Sequence, residues 1–169
     1  VREGYDRQAR ALAEAGVDVF YLETMTDLTE ATLAVAAARA GAPDLPIVAT
    51  MTFDETPRGF FTIMGVDIPT AAAKLSEAGA DVVGSNCGTG IEAMIEIVGA
   101  FRACTALPLI AQANAGLPRQ VEGNTVYDES PEFMAARASA LVAAGASIIG
   151  GCCGTTAAHI RRLRATLKP

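Results

Sequence analysis

The sequence of 169 residues contains no tryptophan, and only 5% of its residues are aromatic. Positive charge is also scarce: 13 Lys and Arg residues are outnumbered by 19 Asp and Glu residues, which gives a formal net charge of -6. This balance argues against a nucleic-acid-binding protein, because phosphate binding needs a clustered positive patch. One basic run near the C-terminus is interpreted as the solvated face of a last helix; it consists of Arg161, Arg162, Arg164 and Lys168.

Long apolar runs are absent as well. No run reaches the roughly 18 to 20 residues that a membrane-spanning helix needs, and the first residues lack the charged and then apolar plan of a signal peptide. We therefore expect a cytoplasmic protein without membrane contact. Because that compartment keeps thiols reduced, the four Cys are expected to be metal ligands, catalytic groups or buried thiols rather than a disulfide framework.

One pattern occurs three times along the chain. Each copy reads as the end of a helix, a Gly that ends it, and a buried strand. The seventh and eighth residues after the Gly are polar or carry thiols: Glu23 and Thr24 after Gly16, Asn86 and Cys87 after Gly79, and Cys152 and Cys153 after Gly145. The repeat therefore places its chemical groups at the carboxyl ends of strands.

Five apolar runs without strict alternation predict parallel strands that are covered on both faces. Ala-rich stretches between them predict helices, so that helices and strands alternate from an N-terminal helix to a C-terminal one. The strands are expected near 17–24, 46–53, 81–87, 108–114 and 147–153, and the helices that follow them near 28–41, 67–78, 90–103, 130–144 and 156–167. A length of 169 residues with 51% hydrophobic residues suits a single domain, 1–169.

This alternation is typical of an α/β fold, either an open nucleotide-binding sheet or a TIM-type (βα)8 barrel. The first should carry a Gly-rich loop after its first strand, whereas Glu23-Thr24-Met25-Thr26 contains no glycine. The barrel is favoured, and because it has eight strands, the chain corresponds to about its last five βα units. Long loops at 54–65 and 116–128 are expected on the carboxyl face, where such barrels build active sites.

The adjacent pair Cys152 and Cys153 is the strongest chemical signal. Neighbouring side chains on a regular strand point to opposite faces, so both thiols reach one ion only if the strand turns there. Glycines permit such a turn, and three of them flank the pair: Gly150, Gly151 and Gly154. With Cys87, the pair matches a catalytic zinc site, in which three protein ligands leave one position open. A vicinal disulfide and three inert core thiols remain as alternatives.

Other candidate residues have weaker signals. Cys104 lies outside the repeat and is interpreted as a structural or incidental thiol, and His159, inside the last helix, as a packing or surface residue. Glu23 places a carboxylate at the end of an apolar strand, where it costs stability unless it is paired or functional; a contact with a substrate ammonium group is favoured. Asn86 and Asn114 occupy similar positions, and loop-orienting and substrate-facing roles are both open.

Four segments together resemble the homocysteine S-methyltransferase family in their order and separation: Y-L-E-T at 21–24, G-S-N-C at 84–87, A-N-A-G-L-P at 113–118 and G-G-C-C-G-T-T at 150–156. The resemblance implies zinc-dependent methyl transfer to the thiol of homocysteine, which gives methionine, with the zinc-bound thiolate as nucleophile. It implies Zn²⁺ ligation by Cys87, Cys152 and Cys153. It further implies that Glu23 contacts the substrate amino group and that the pocket is lined by Asn86, Asn114 and Gly151.

The segment E-G-N-T-V-Y at 122–127 resembles the cobalamin-linked bacterial members, which implies methylcobalamin on a corrinoid protein or domain as methyl donor. Ala157 stands where the family usually has Pro, with little effect expected. The family's first strand, with its acidic residue and Gly-rich loop, has no counterpart in these residues. We therefore expect a barrel whose N-terminal strands are absent from these residues: either that portion was removed, or it lies on another chain, or the residues assemble with a partner or in a homo-oligomer.

Two other functional hypotheses remain open at this point. In the first, the chain is a catalytically incomplete zinc-binding or scaffold fragment that needs a partner. In the second, it is a redox switch that forms a reversible Cys152-Cys153 disulfide.

Overall fold

A computed structural model describes residues 1–168. In chain order its elements are α1 (Arg2–Glu14), β1 (Phe20–Met25), α2 (Leu28–Gly41), β2 (Ile47–Met51), β3 (Asp54–Thr56), β4 (Gly59–Phe61), α3 (Ile68–Ala78), β5 (Val82–Asn86), α4 (Ile91–Cys104), β6 (Leu109–Ala113), β7 (Arg119–Val121), β8 (Asn124–Val126), α5 (Pro131–Ala144), β9 (Ala146–Gly151) and α6 (Ala157–Leu167). Five strands form one parallel sheet in the order β1-β2-β5-β6-β9. Each strand lies beside the preceding parallel one, as in a TIM-type barrel. The predicted α/β fold with five parallel strands is confirmed.

Capping side chains explain where several helices begin and end. Asp27, Asp67 and Ser130 precede α2, α3 and α5, and each accepts a hydrogen bond from the backbone N–H three residues further on. Gly79 and Gly145 adopt left-handed conformations, with φ of 104° and 116°, and end α3 and α5. These are two of the glycines in the sequence repeat, and they turn the chain from a helix into β5 and β9.

Some strand boundaries differ from the prediction. Strands β2 and β9 each end two residues earlier than expected, at Met51 and Gly151. Strand β1 begins at Phe20, about three residues later than expected, because the chain turns at residues 15–16 and joins the sheet only after residue 19. Gly16 takes a left-handed φ of 81° in this turn.

The core lies between the helices and one face of the sheet. Phe53 and Phe101 pack edge to face in it, with ring centroids 5.7 Å apart. Other fully buried residues of the core come from both layers: Ile47, Met51, Leu75, Ile91, Met94, Ile97, Leu109 and Leu141. Because side chains alternate along a strand, the opposite face of the sheet carries a second set of residues.

This opposite face is the one that lines the inside of a barrel. Tyr21 of β1 and Gln112 of β6 form a side-chain hydrogen bond across it, although β2 and β5 lie between their strands. The contact requires the sheet to curve around this face. Toward the edges of the sheet the inner face is exposed to solvent: 37% of the surface of Tyr21 and 43% of that of Ile148 is accessible. A groove of about 390 Å³ runs beside β1, between α1 and α2.

Each of the two long loops contains a short antiparallel hairpin, β3 with β4 and β7 with β8. Neither hairpin was predicted, because strands of three residues are too short to show a period of two. Gly59 and Gly123 have φ of 108° and 80° at their turns. The hairpins follow β2 and β6, so both stand on the carboxyl face, where the loops were expected.

The basic side chains near the C-terminus are exposed, as predicted; Arg162 forms a surface ion pair of 3.1 Å with Glu132. No helix within residues 1–168 combines the length and the apolar character needed to cross a membrane.

Gly84 offers a test of the tight strand packing. A Cβ at this position would overlap the carbonyl oxygen of Ile110 on the neighbouring strand. Gly84→Ala should lower the free energy of unfolding by about 3 kcal/mol, the upper end of the cost of overpacking. Gly99→Ala is the matched control, because Gly99 lies within α4 with open space around its Cβ position. It should raise stability by roughly 0.5 to 1 kcal/mol. Urea unfolding measures both; equal effects of the two substitutions would contradict the packing argument.

Candidate metal centre

The carboxyl ends of β5 and β9 bring three thiols together. Cys87 directly follows β5, and Cys152 and Cys153 directly follow β9. The sulfur atoms of Cys87 and Cys153 are 3.7 Å apart, those of Cys152 and Cys153 are 4.0 Å apart, and all three lie within 4.8 Å of one another. Ligands about 2.3 Å from one tetrahedral ion place sulfur atoms about 3.8 Å apart. The donor set and its spacing therefore fit a single metal ion.

The alternatives to a metal centre fit less well. All three are free thiols, so Cys152 and Cys153 are not joined as a vicinal disulfide. Cys87 and Cys152 are half-buried and Cys153 is exposed, which does not correspond to three inert core thiols.

Local backbone geometry directs the Cys87 thiol out of the strand. Cys87 has a φ of 62°, in the left-handed region that non-glycine residues seldom adopt. Hydrogen bonds on both sides hold it there: its N–H donates to the carbonyl of Gln112 at 3.1 Å, and its carbonyl accepts from the N–H of Thr89 at 2.8 Å. The strand thus ends at Asn86, and the next side chain leaves the alternation.

A turn after β9 does the same for the adjacent pair. Gly154 has a φ of 76°, and the Thr155 hydroxyl donates to the carbonyl of Cys152 at 2.7 Å. A Cβ at Gly151 would collide with the Thr155 side chain, so this close turn needs glycine there. The turn that the flanking glycines predicted is present, and it allows both thiols to approach Cys87.

Asn86 lies beneath the thiols and is completely buried. Its side-chain oxygen accepts from the Thr24 N–H at 2.8 Å and from the Thr50 hydroxyl at 2.7 Å. Its amide nitrogen donates to the Thr24 hydroxyl at 2.7 Å and to the Cys152 sulfur at 3.7 Å. In this structure Asn86 therefore ties β1, β2 and the thiol pair together.

Asn114 links the loops after β6 and β9. Its side-chain oxygen accepts from the Cys153 N–H at 3.0 Å, and its own N–H donates to the carbonyl of Thr89 at 3.0 Å. Next to it, the Ala115 N–H donates to the carbonyl of Cys153 at 2.9 Å. Asn114 is only 3% exposed and orients the backbone that carries Cys153.

Glu23 lies on the same rim, at an irregular point of β1. The register of β1 against β2 shifts between Leu22 and Met25, and Thr24 has a left-handed φ of 61°. Such bulges re-aim side chains next to active sites. Glu23 is exposed and is a neighbour of Tyr21, whose pKa is raised by burial and by the nearby charges of Glu23 and Cys152. Tyr21 is thus close enough to feel both the carboxylate and the Cys152 thiol.

The Cys152 thiol is disfavoured from ionising. Burial raises the pKa of Cys152 to about 11, and the neighbouring Cys87 and Cys153 act in the same direction, while the hydrogen bond from Asn86 opposes them. A bound cation reverses this preference, because it favours the thiolate form of its ligands. Three sulfur atoms within 4.8 Å of one another are therefore suited to a positive ion.

Tyr127 is a neighbour of the thiols that sequence reasoning did not single out. It directly follows β8, and its ring packs on Gly154, where any Cβ would overlap it. Burial and the adjacent Cys153 thiol raise the pKa of Tyr127. The residue closes the segment E-G-N-T-V-Y, but nothing in that segment alone indicated where the hairpin would fold.

The remaining candidates behave as the sequence indicated. The Cys104 sulfur donates to the carbonyl of Ala100 at 3.2 Å, away from the three thiols. His159 is 6% exposed and accepts a hydrogen bond from the Thr156 N–H at 3.0 Å, which completes a cap at the start of α6. Helix α6 begins at Ala157, so a proline is not needed there.

The five-stranded sheet is part of a TIM-type barrel, and three thiols cluster at the carboxyl ends of its strands. This donor set fits one metal ion in the position where such barrels build active sites. The match to the homocysteine S-methyltransferase family model extends over residues 1–167. The chain belongs to this family, and the resemblance found in its motifs is confirmed.

Relatives and similar structures agree with the assignment. The chain is 32% identical over 173 residues to a methionine synthase of Mycobacterium tuberculosis (strain ATCC 25618 / H37Rv), which covers 99% of this chain and 14% of that protein. Its fold is similar to that of the homocysteine methyltransferase MmuM from Escherichia coli in its apo form, with a TM-score of 0.74 and 25% identity over 98% of this chain and 57% of that one. The chain therefore spans about a seventh of the first relative and just over half of the second.

A more distant structure shares the fold alone. The carboxyl transferase domain of Rhizobium etli pyruvate carboxylase has a TM-score of 0.63 and 17% identity over 90% of this chain and 24% of that one.

The raised pKa of Cys152 predicts how it reacts in the reduced, metal-free protein. The thiolate is the nucleophile, so a thiol whose pKa is about 11 should react slowly with iodoacetamide at about pH 8. Its rate should rise as the pH approaches 11. The exposed thiol of Cys104 serves as internal reference. Mass spectrometry of each cysteine gives the rates, and a Cys152 that reacts as fast as Cys104 at about pH 8 would contradict the prediction.

Proposed function

We propose that this chain carries the zinc centre of a methyltransferase that methylates the thiol of homocysteine and so forms methionine. The observation that carries the proposal is the triad Cys87, Cys152 and Cys153, whose sulfur atoms lie within 4.8 Å of one another in a member of the homocysteine S-methyltransferase family. The 32% identity to a methionine synthase supports the choice of product.

The three thiols would hold Zn²⁺ and leave one position open for the substrate. Zinc bound there supplies a positive charge that keeps a coordinated substrate thiol deprotonated near neutral pH. Cys153 is exposed, so the thiols are accessible from solvent. Asn86 stabilises the thiolate form of Cys152 by the N–H bond to its sulfur. Thiol ligands must stay reduced, which fits a cytoplasmic location.

Glu23 would bind the ammonium group of homocysteine. It is an exposed carboxylate whose charge, like the Cys152 thiol, influences the pKa of Tyr21. Asn114 and Gly151 stand beside the thiol pair and would line the pocket, with Asn86 beneath it. We propose these four residues as the part of the substrate site that this chain contributes.

The transfer itself moves one methyl group. The substrate thiol loses its proton, the sulfur forms a bond to the methyl carbon, and the bond from that carbon to its carrier breaks with the electron pair on the carrier. We propose methylcobalamin on a corrinoid protein or domain as the carrier, because E-G-N-T-V-Y resembles the cobalamin-linked members.

A second candidate is a catalytically incomplete zinc-binding or scaffold fragment that needs a partner chain. The exposed edge strands favour it: Tyr21 of β1 and Ile148 of β9 are exposed on the inner face, and a groove of about 390 Å³ opens beside β1. Unpaired sheet edges are sites where further strands add. In this case residues 1–169 form one domain, the C-terminal part of a barrel, and the remaining strands come from outside these residues.

X-ray absorption at the zinc edge tests the proposal. The purified protein should contain about one zinc per chain, bound by three sulfur atoms and one lighter ligand. Homocysteine should add a fourth sulfur. Cys87→Ser should reduce the zinc content, whereas Cys104→Ser, which changes a thiol outside the triad, should not.

The outcomes separate the alternatives. Zinc without any change on addition of homocysteine supports the scaffold fragment. A reversible Cys152-Cys153 disulfide without zinc supports the redox switch. Either result contradicts the methyltransferase proposal.

Glu23→Gln tests the substrate site. Loss of the charge should weaken homocysteine binding to the zinc-loaded protein about 10- to 100-fold, because a hydrogen bond to a charged group contributes roughly 1.5 to 3 kcal/mol. The control Glu122→Gln changes an exposed carboxylate in the turn between β7 and β8. Isothermal titration calorimetry measures the affinity of both variants for homocysteine. Equal affinities would contradict the proposal that Glu23 binds the substrate.

A further inference from the structure

Three loops at the carboxyl face interlock around the thiols. The Cys87 loop (residues 87–90) connects β5 to α4, the Asn114 loop (114–130) connects β6 to α5, and the Cys152 loop (152–156) connects β9 to α6. The bonds of Asn114 to the other two loops form an inner set of links. A second set lies further out, at the beginnings of the helices.

Glu129 makes this outer set. Its side-chain Oε2 accepts a hydrogen bond from the N–H of Ile91 at 3.2 Å, at the first residue of α4. Its own N–H donates to the carbonyl of Ala115 at 2.9 Å. Its carbonyl accepts from Nε2 of His159 on α6, at 3.0 Å. One residue thus bonds to the helix after each cysteine-bearing loop and to its own loop.

The bonds of His159 fix which nitrogen carries the proton. Nδ1 accepts from the Thr156 N–H, so the hydrogen that reaches the Glu129 carbonyl must be on Nε2. The link from Glu129 to the Cys152 loop therefore passes through a neutral imidazole that also caps α6.

One glycine of the Cys87 loop and one of the Asn114 loop leave room for the Glu129 side chain. A Cβ at Gly90 would overlap its carboxylate, and a Cβ at Gly116 would lie 3.1 Å from its Cγ. Burial raises the pKa of the Glu129 carboxyl group, and the hydrogen bond from the Ile91 N–H at the start of α4 opposes this effect. Gly90 itself offers no side chain to cap that helix, and Glu129 takes this role from a distant loop.

We propose that Glu129 is a positioning residue of the metal centre, whose carboxylate holds the Cys87 loop and whose carbonyl, through His159, holds the Cys152 loop. It touches none of the three thiols and acts on their spacing. The role rests on the proposed metal site, but its effect on Cys87 does not require a bound ion.

Titration with Co²⁺ tests the role in the full chain, because thiolate-bound cobalt absorbs visible light. Glu129→Ala removes the bond to Ile91 and should weaken Co²⁺ binding about 10- to 100-fold, as is typical when a partner that orients ligands is lost. Glu129→Gln keeps an oxygen acceptor of the same length and should restore the affinity close to that of the unaltered protein. Glu132→Ala is the matched control. Glu132 lies three residues away and forms a surface ion pair with Arg162.

Iodoacetamide labelling of the metal-free protein provides a second measurement. Glu129→Ala should speed the reaction of Cys87 relative to that of Cys104, because its loop is released, and Glu129→Gln should not. If the unaltered protein binds no Co²⁺ while Cys87 responds in this way, the proposed function fails and the positioning of Cys87 stands. Unchanged Co²⁺ affinity and unchanged Cys87 reactivity in a folded Glu129→Ala variant would overturn the role. The same holds if the variant loses Co²⁺ affinity only at temperatures at which it unfolds.

Discussion

The arrangement of this protein depends on a backbone that holds three thiol groups at one point. Their sulfur atoms lie 3.7 Å (Cys87 to Cys153) and 4.0 Å (Cys152 to Cys153) apart, and burial, together with the neighbouring sulfur atoms, raises the pKa of Cys152. Side chains from two separate strand ends keep this spacing only if the surrounding backbone is rigid. The left-handed turn at Cys87, the glycine turn after β9 and the buried amides of Asn86 and Asn114 supply that rigidity.

Strand order explains how the ligands meet. In the sheet, β5 and β9 are separated by β6 alone, so the loop after β6 stands between the two cysteine-bearing loops. Asn114 and Glu129 both belong to this central loop, one near each end of it; Asn114 bonds to the loops on either side, and Glu129 bonds to the helices that follow those loops. The curvature of the sheet, marked by the contact between Tyr21 and Gln112, brings the rim of β1 toward the same point.

Much of this could be read from the sequence, and the reasons are physical. Gly79 and Gly145 end helices by their left-handed conformations, so the repeat that they begin located the strand ends and all three thiols. Glu129 and Tyr127 could not be found in that way, since their partners are distant in sequence and their contacts arise only when the loops fold over one another. The repeat also did not predict that Asn86 is fully buried, because it locates the ends of strands but not how far each side chain lies from solvent.

The thiols come from two distant parts of the chain, as 66 positions separate Cys87 from Cys153. Strand β9 and the turn after it are synthesised later than β5 and β6, and α6 must pack before His159 can reach Glu129. During synthesis Cys87 therefore lacks its two thiol partners until the chain as far as Cys153 has emerged. The cluster is complete only when β9 lies beside β6, so a chain interrupted before β9 would lack two of the three thiols.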